Sequence, residues 1–268
     1  NLKKMENTPK LWDNLWEIDI SEEEDRFAIA KEEKSIRWER IENVVLKEFG
    51  SFKDLNILEI GAGAGTNSVL MAKRGAHITI LDYSEQALQR SQELFKRSQL
   101  NAEFTFQDAL ALPNELLNKY DVSMSFGLTE HFLGADRVKI NKVHFQVIRE
   151  GGISFISVPN KYNPPYRIYK YFSQLLGRWK VGMEFPYSRR ELRNICQEIG
   201  VTEISFFGDS LISSMQFVNP IRIIKKLLKI KEPPENIESI PNEKGTFLDA
   251  YLSYAIVFAG KRTAKTNL

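Results

Sequence analysis

The segment ILEIGAGAGTNS, residues 57–68, constrains this chain more than any other stretch. An apolar strand runs into three alternating glycines, and the residues beyond them read as a helix. Glycine at Gly61, Gly63 and Gly65 permits a tight turn and lets the backbone approach a ligand closely. The helix start presents free N–H groups and a positive dipole end to an anionic group. Asp82 follows Gly61 by 21 residues and closes the next apolar run, HITILD. A carboxylate at that strand end accepts hydrogen bonds from ribose hydroxyls. Strand, glycine turn, helix and strand-end acid together read as a nucleoside site.

The rest of the chain from about residue 55 repeats the strand–helix rhythm. LNILEI (55–60), HITILD (77–82), AEFTFQD (102–108), YDVSMSFG (120–127) and GGISFISVPN (151–160) read as strands with helices between them. VTEISFFGD (201–209) is a sixth strand, and AYLSYAIVFAGKR (250–262) reads as a long seventh. Such alternation implies right-handed crossovers and a mainly parallel sheet with helices on both faces. Residues 1–50 read as two helices. The first carries LWDNLWEI with Leu11, Trp12, Leu15 and Trp16 at helical spacing; the second covers roughly 22–49 and stops at Gly50. SRRE (188–191) reads as a capping box. We expect one domain over 1–268, with 1–50 as a helical cap, 51–160 as the cofactor-binding half, and 161–187 and 208–246 as lid and insertions.

The glycine spacing separates two nucleoside classes. A dinucleotide site prefers GxGxxG, whereas GAGAGT is GxGxG, which disfavours a nicotinamide-linked oxidoreductase. The segment resembles the first motif of the class I S-adenosylmethionine-dependent methyltransferases, acid-x-GxGxG, at Glu59, Gly61, Gly63 and Gly65. The resemblance extends over roughly 55–207 and the last strand. It takes in Asp82, Asp108 in FQDAL, the fourth-strand end SFGLTEHF and the two-glycine turn IREGGISF. It implies a Rossmann-like seven-stranded, mostly parallel sheet of order 3-2-1-4-5-7-6 and S-adenosyl-L-methionine as cofactor, with S-adenosyl-L-homocysteine as product. It further implies that Gly61, Gly63 and Gly65 lie under the methionine half and that Asp82 binds the ribose. Tyr83 would pack on adenine, Asp108 would accept from the adenine amino group beside Ala109, and Phe126 would lie near the reacting methyl.

Methyl transfer from a sulfonium needs positioning and exclusion of water more than activation. A base helps when the acceptor is a hydroxyl or a protonated amine. Of three histidines, His131 in LTEHF is best placed for that role, with Glu130 beside it. His77 begins a strand, and His144 lies on a helix at core-like spacing. No metal is expected. The stretch 161–187 holds eight aromatic residues, from Tyr162 to Tyr187. We expect it to form a lid suited to an apolar or planar acceptor, or a cationic amine. It contains Asn163-Pro164-Pro165-Tyr166, the tetrapeptide that amino-methyltransferases carry at the end of the fourth strand. Here the fourth strand ends in SFGLTEH and the tetrapeptide follows the fifth. The two prolines are therefore expected to stiffen an extended segment that launches the lid and lines the acceptor pocket.

Composition narrows the acceptor. Lys+Arg 37 against Asp+Glu 35 leaves a net charge of +2, without the basic excess of a dedicated nucleic-acid binder. The reading is therefore an enzyme that methylates an O or N atom of a small molecule. A protein or nucleic-acid methyltransferase and a non-catalytic S-adenosylmethionine-binding protein are the rivals. The single cysteine, Cys196, reads as a buried apolar residue, which fits a reducing cytoplasm. No basic-then-apolar leader opens the sequence, and no apolar run approaches the ~18 residues needed to span a bilayer. The basic amphipathic stretch PIRIIKKLLKIK, 220–231, is expected to pack on the domain, with an anionic membrane surface as its other use.

Overall fold

Seven strands form one sheet in the order β3-β2-β1-β4-β5-β7-β6. The computed structural model describes residues 7–220 and 236–266. The strands are β1 Asn56–Ile60, β2 His77–Asp82, β3 Glu103–Phe106, β4 Tyr120–Phe126, β5 Ile148–Pro159, β6 Glu203–Gly208 and β7 Ala255–Lys261. The first five pair in parallel, and β7 runs antiparallel between β5 and β6. This is the expected Rossmann-like order. The last strand is shorter than expected, because Asp249–Leu252 form a helical turn before β7 begins. Gly208 explains the turn. A Cβ on it would lie 2.3 Å from the Asp249 carbonyl oxygen, so the turn packs directly on the β6 end.

Alternation along each strand divides the core into two layers. Ile57, Ile80, Met124, Phe155 and Val257 face one side, where helices α2 (Glu22–Glu33), α3 (Ile36–Phe49), α4 (Thr66–Lys73) and α5 (Glu85–Arg97) cover them. Leu58, Ile60, Ile156, Ile256 and Phe258 face the other, under α6 (Gly134–Val147) and α8 (Arg189–Glu198). Cys196 lies buried in the second layer. His144 is fully buried there as well, its ring between the Ile140 carbonyl at 2.8 Å and Ser125 Oγ at 2.8 Å, and burial depresses it to about 4.

The N-terminal region holds three helices rather than two: α1 (Pro9–Trp16), α2 and α3. Ser35 divides the expected second helix. Its hydroxyl accepts from the Trp38 backbone at 3.1 Å, and Lys34 ends α2 before it. A buried ion pair fixes α2 to α5: Asp25, 2% exposed, meets Arg90 and also Arg97, the latter at 2.7 Å. Ser188 caps α8 as expected, accepting from the Glu191 backbone at 3.1 Å. The Glu191 carboxylate does not complete the box; it turns to Arg137 at 2.8 Å.

The Asn-Pro-Pro-Tyr segment departs from its expected form. Asn163 caps helix α7 (Pro164–Leu175), and the prolines occupy its first turn. Proline suits that turn, because its φ is helical and its missing N–H has no partner to lose there. Asn163 is fully buried. Its Oδ1 accepts from the Tyr166 backbone at 2.7 Å, and its Nδ2 donates to the Leu252 carbonyl at 2.6 Å and to Ser214 Oγ at 2.9 Å. The segment therefore ties α7 to the turn before β7 and lines neither of the cavities described below. The outer face of α7 exposes Ile168, Tyr171, Phe172 and Leu175. The basic stretch 220–231 lies outside the described residues, apart from Pro220.

Replacing Asn163 by Ala removes the cap and strands two buried groups. Destabilisation of about 2–4 kcal/mol is expected, a fall in melting temperature of roughly 5–10 °C for a domain of this size. A thermal melt within 2 °C of the parent would contradict the anchoring role.

Candidate functional site

The carboxyl ends of β1, β2 and β4 meet at the glycine turn. Gly61 donates its N–H to the Leu81 carbonyl at 2.8 Å, which presses the turn against the β2 end. Gly63 has φ +53°, and a Cβ on it would lie 2.2 Å from the Trp16 ring. Both its backbone and its surroundings require glycine. Gly65 sits at the start of α4.

The acids around this turn differ in environment. Asp82, 7% exposed, accepts from the Ser84 backbone at 3.0 Å, and its other oxygen faces the Gly63 N–H at 3.5 Å. Burial lifts it to about 6 despite those donors. Glu59 accepts from Ser68 Oγ at 2.5 Å, and burial lifts it to about 7. Asp108 accepts from the Leu110 backbone at 2.8 Å and so shapes the turn Ala109–Ala111.

Two cavities flank the turn. The smaller, about 440 Å³, is lined by Gly61, Gly63, Asp82, Tyr83, Asp108 and Ala109, with Phe126 and His131 on its wall. The larger, about 600 Å³, takes in Glu59 and Gly65 together with Arg37, Asp209, Phe217 and Tyr254. Ala62, Trp16 and Phe126 border both. Arg37 lies over the Phe126 ring at 5.3 Å and binds Glu32 through two nitrogens at 2.9 and 2.5 Å.

Helix α1 roofs the smaller cavity. Trp12 and Trp16 line it, and Trp12 meets the His131 ring edge-on at 4.7 Å. Asp13 accepts from Ser84 Oγ at 2.7 Å. Asn7 spans the opening: its Nδ2 donates to the carbonyls of His131 at 2.9 Å and Met183 at 3.0 Å, and its Oδ1 accepts from Met183 N–H at 3.0 Å. The expectation of a helical cap over 1–50 did not name Trp12 and Trp16 as cavity-lining residues. The available signal was two tryptophans four residues apart on a short helix whose face has no other large partner.

His131 and Glu130, adjacent in sequence, face different surroundings. The Met183 carbonyl lies 2.7 Å from His131 Nδ1 and can only accept, so the neutral ring carries its proton there and its lone pair on Nε2. Burial lowers its pKa and favours that neutral form. Glu130, 3% exposed, lines neither cavity. It lies behind Gly127, and its Oε2 has no hydrogen-bond partner among the described residues. Burial lifts it to about 8, Glu184 adds to the shift, and Arg137 and Lys170 oppose it. No cluster of three or more metal-ligating side chains occurs among the described residues.

The smaller cavity suits an adenosyl group. The Asp82 carboxylate is buried there with backbone donors around it and room for hydroxyl donors. The glycine turn brings bare backbone to the cavity wall, and Tyr83 offers a ring beside Asp82. Asp108 and Ala109 share the cavity lining with Asp82 and the turn.

The sheet order and part of the sequence are similar to those of known methyltransferases. Residues 57–152 match the profile of the family described as "Methyltransferase domain". The chain is 31% identical over 123 residues to a ubiquinone biosynthesis O-methyltransferase of Leptothrix cholodnii, covering 46% of this chain and 51% of that one. It is 25% identical over 166 residues to the Rickettsia typhi protein of the same name, covering 62% and 64%. It thus spans about half to two thirds of the length of these curated relatives. Among solved structures, magnesium protoporphyrin IX methyltransferase from Synechocystis PCC 6803 with bound SAH superposes with a TM-score of 0.52 at 15% identity, covering 85% of this chain and 83% of that one. A putative sarcosine dimethylglycine methyltransferase from Galdieria sulphuraria gives 0.57 at 16% identity, covering 84% and 83%. Among the described residues, no helix is long and apolar enough to cross a membrane.

Burial of Glu130 makes a pH-dependent contribution to stability. Its folded pKa of about 8 lies above the ordinary 4.5, so the fold favours the neutral acid. That stabilisation is complete below the unfolded value and is lost as pH rises through the folded one. Glu130→Gln, which stays neutral, is expected to flatten the fall in melting temperature between pH 6 and pH 9. An unchanged slope in thermal melts would show that Glu130 ionises freely.

Proposed function

We propose that the chain transfers the methyl group of S-adenosylmethionine to an oxygen or nitrogen atom of a small molecule. One observation carries the reading: the adenosyl-sized cavity and a second, larger cavity meet at Phe126. When bound, S-adenosylmethionine supplies an electrophilic methyl group on sulfur. The protein's task is to align the acceptor with it and keep water out. Phe126 and Trp16 form the apolar passage between the cavities, and α1 closes the cofactor side. His131, neutral with its lone pair on Nε2, is the proposed base for an acceptor hydroxyl. Glu130 is given no part in the transfer.

The relatives' printed name, an O-methyltransferase of ubiquinone biosynthesis, supports oxygen as the atom methylated. The larger cavity's rings, Phe126, Phe217 and Tyr254, support an apolar or aromatic acceptor. A cytoplasmic setting without a nucleic-acid partner belongs to the same reading. It rests on the lone buried Cys196 and the balanced charge.

Calorimetry with S-adenosylmethionine is expected to show binding at pH 7.5, weakened at least tenfold in Asp82→Ala, since hydrogen bonds to a charged group contribute about 1.5–3 kcal/mol each. Ribose hydroxyls donate to the ionised carboxylate, so affinity is expected to fall as pH drops through about 6, where Asp82 takes up a proton. No binding at millimolar cofactor would overturn the proposal. Incubating cell extract with radiolabelled methyl donor, then identifying the product by mass spectrometry, names the acceptor. His131→Ala is expected to lower turnover on that acceptor more than cofactor affinity; unchanged turnover would remove it as the base.

A further inference from the structure

The larger cavity has an uneven supply of charge. Four carboxyl groups line it, Glu32, Glu59, Asp209 and Glu243, against two cations, Lys31 and Arg37. Of these, Arg37 is engaged. Arg37 gives Nε and Nη2 to Glu32 at 2.9 and 2.5 Å, and its Nη1 faces Asp209 Oδ2 at 3.8 Å. Lys31 is exposed, with its ammonium 5.8 Å from the centre of the Phe27 ring. Two serine hydroxyl donors are engaged as well: Ser213 Oγ donates to Glu243, and Ser214 Oγ donates to the Leu211 carbonyl at 2.7 Å.

Accepting capacity is left over. Asp209 Oδ1 is buried and accepts no hydrogen bond among the described residues. Asp209 follows β6 directly, and its backbone N–H is held by the Ala255 carbonyl at 3.2 Å. A buried carboxylate oxygen without a donor is costly, and a charge-assisted hydrogen bond from a bound molecule would relieve that cost. Among the described lining residues, four carboxyl groups against a paired Arg37 and an exposed Lys31 disfavour an anionic molecule. The Trp16, Phe126, Phe217 and Tyr254 rings line the same cavity, with Phe126 under Arg37 and with Phe217 and Tyr254 4.9 Å apart.

Building on the larger cavity as the acceptor site, we infer that Asp209 holds a hydroxyl or ammonium group of the methyl acceptor, and that the acceptor is a flat, neutral or cationic molecule rather than a carboxylate or phosphate. The reacting atom lies beside Phe126, and the group held by Asp209 lies on the same molecule. Burial lifts Asp209 to about 6, with Arg37 opposing the shift, so the carboxylate is ionised and ready to accept at neutral pH. Asp209 in this role is a specificity residue; it takes no proton from the reacting atom.

Catechol, dopamine and 3,4-dihydroxybenzoate carry the same dihydroxylated ring with a neutral, a cationic and an anionic remainder. Their binding to the full chain saturated with S-adenosylhomocysteine can be titrated by calorimetry. Catechol and dopamine are expected to bind at least tenfold more tightly than dihydroxybenzoate. Asp209→Asn is expected to weaken both by about tenfold or more, while affinity for S-adenosylhomocysteine stays unchanged. The ranking of the three probes on the parent chain stands whether or not the variant folds. Dihydroxybenzoate binding as tightly as dopamine, unchanged binding in Asp209→Asn, or no binding of any probe by a chain that holds S-adenosylhomocysteine would overturn the inference. Failure to bind S-adenosylhomocysteine would instead remove the cofactor reading itself.

Discussion

Parallel pairing of β1 with β2 on one side and β4 on the other is the constraint from which the site follows. In register, Ile60 stands opposite Leu81 and Glu59 opposite Met124, so the three strands end together at one edge of the sheet. Side chains that leave the strands there, Asp82 and Phe126, converge on the glycine turn without any loop having to reach them. The Gly61–Leu81 hydrogen bond extends the ladder one step into the turn, which is why the turn is fixed and not merely tight. A backbone held at that point can present N–H groups and a bare surface at the same time. Any side chain on Gly63 would displace Trp16, so the roof and the floor of the smaller cavity are built to one clearance.

Burial of acids is the second theme. Asp82, Glu59, Asp209 and Glu130 all sit where desolvation lifts their pKa, to about 6, 7, 6 and 8. A chain selected for stability alone would replace such groups by apolar ones, since an unpaired buried charge is expensive. Their partners separate them. Asp82 and Glu59 have donors aimed at them from the glycine turn, the strand ends and α4. Asp209 has one oxygen facing Arg37 and one with no partner among the described residues. Glu130 has Glu184 for a neighbour and lines neither cavity. Perturbed acids mark both binding and structural positions, and only the cavity each one faces tells them apart.

Periodicity made most strand positions legible, because a parallel strand buried on both faces reads as a continuous apolar run, and the order of the strands came from the resemblance. The resemblance named residues at strand ends, and Gly61, Gly63, Asp82, Tyr83, Asp108, Ala109 and Phe126 line one cavity. The remainder depends on contacts between distant parts of the chain. Nothing local in Ser35 says that a helix stops there, because serine is tolerated inside helices as well as at their caps. The two prolines at 164 and 165 suit an extended segment and a helix start equally, and the buried partners of Asn163, at Ser214 and Leu252, decide between them. Asp209 looks like a solvated strand-end acid until Arg37, more than 170 residues earlier, is brought against it.

The N-terminal helix shows how a weakly anchored element can still be specific. No residue of α1 is fully buried, so little apolar area holds it. Its position comes from polar contacts at its two ends: Asn7 to the segment around Met183, and Asp13 to Ser84. Such contacts contribute about a kilocalorie per mole each and break independently of the core. Losing them would leave the sheet's own packing in place, and the two tryptophans add contact with the cavity beneath. Trp16 touches both cavities and Trp12 touches His131, so a closed α1 senses the cofactor, the passage and the proposed base together. The same few hydrogen bonds that hold the roof thereby set the position of Trp16 at both cavities and of Trp12 at His131.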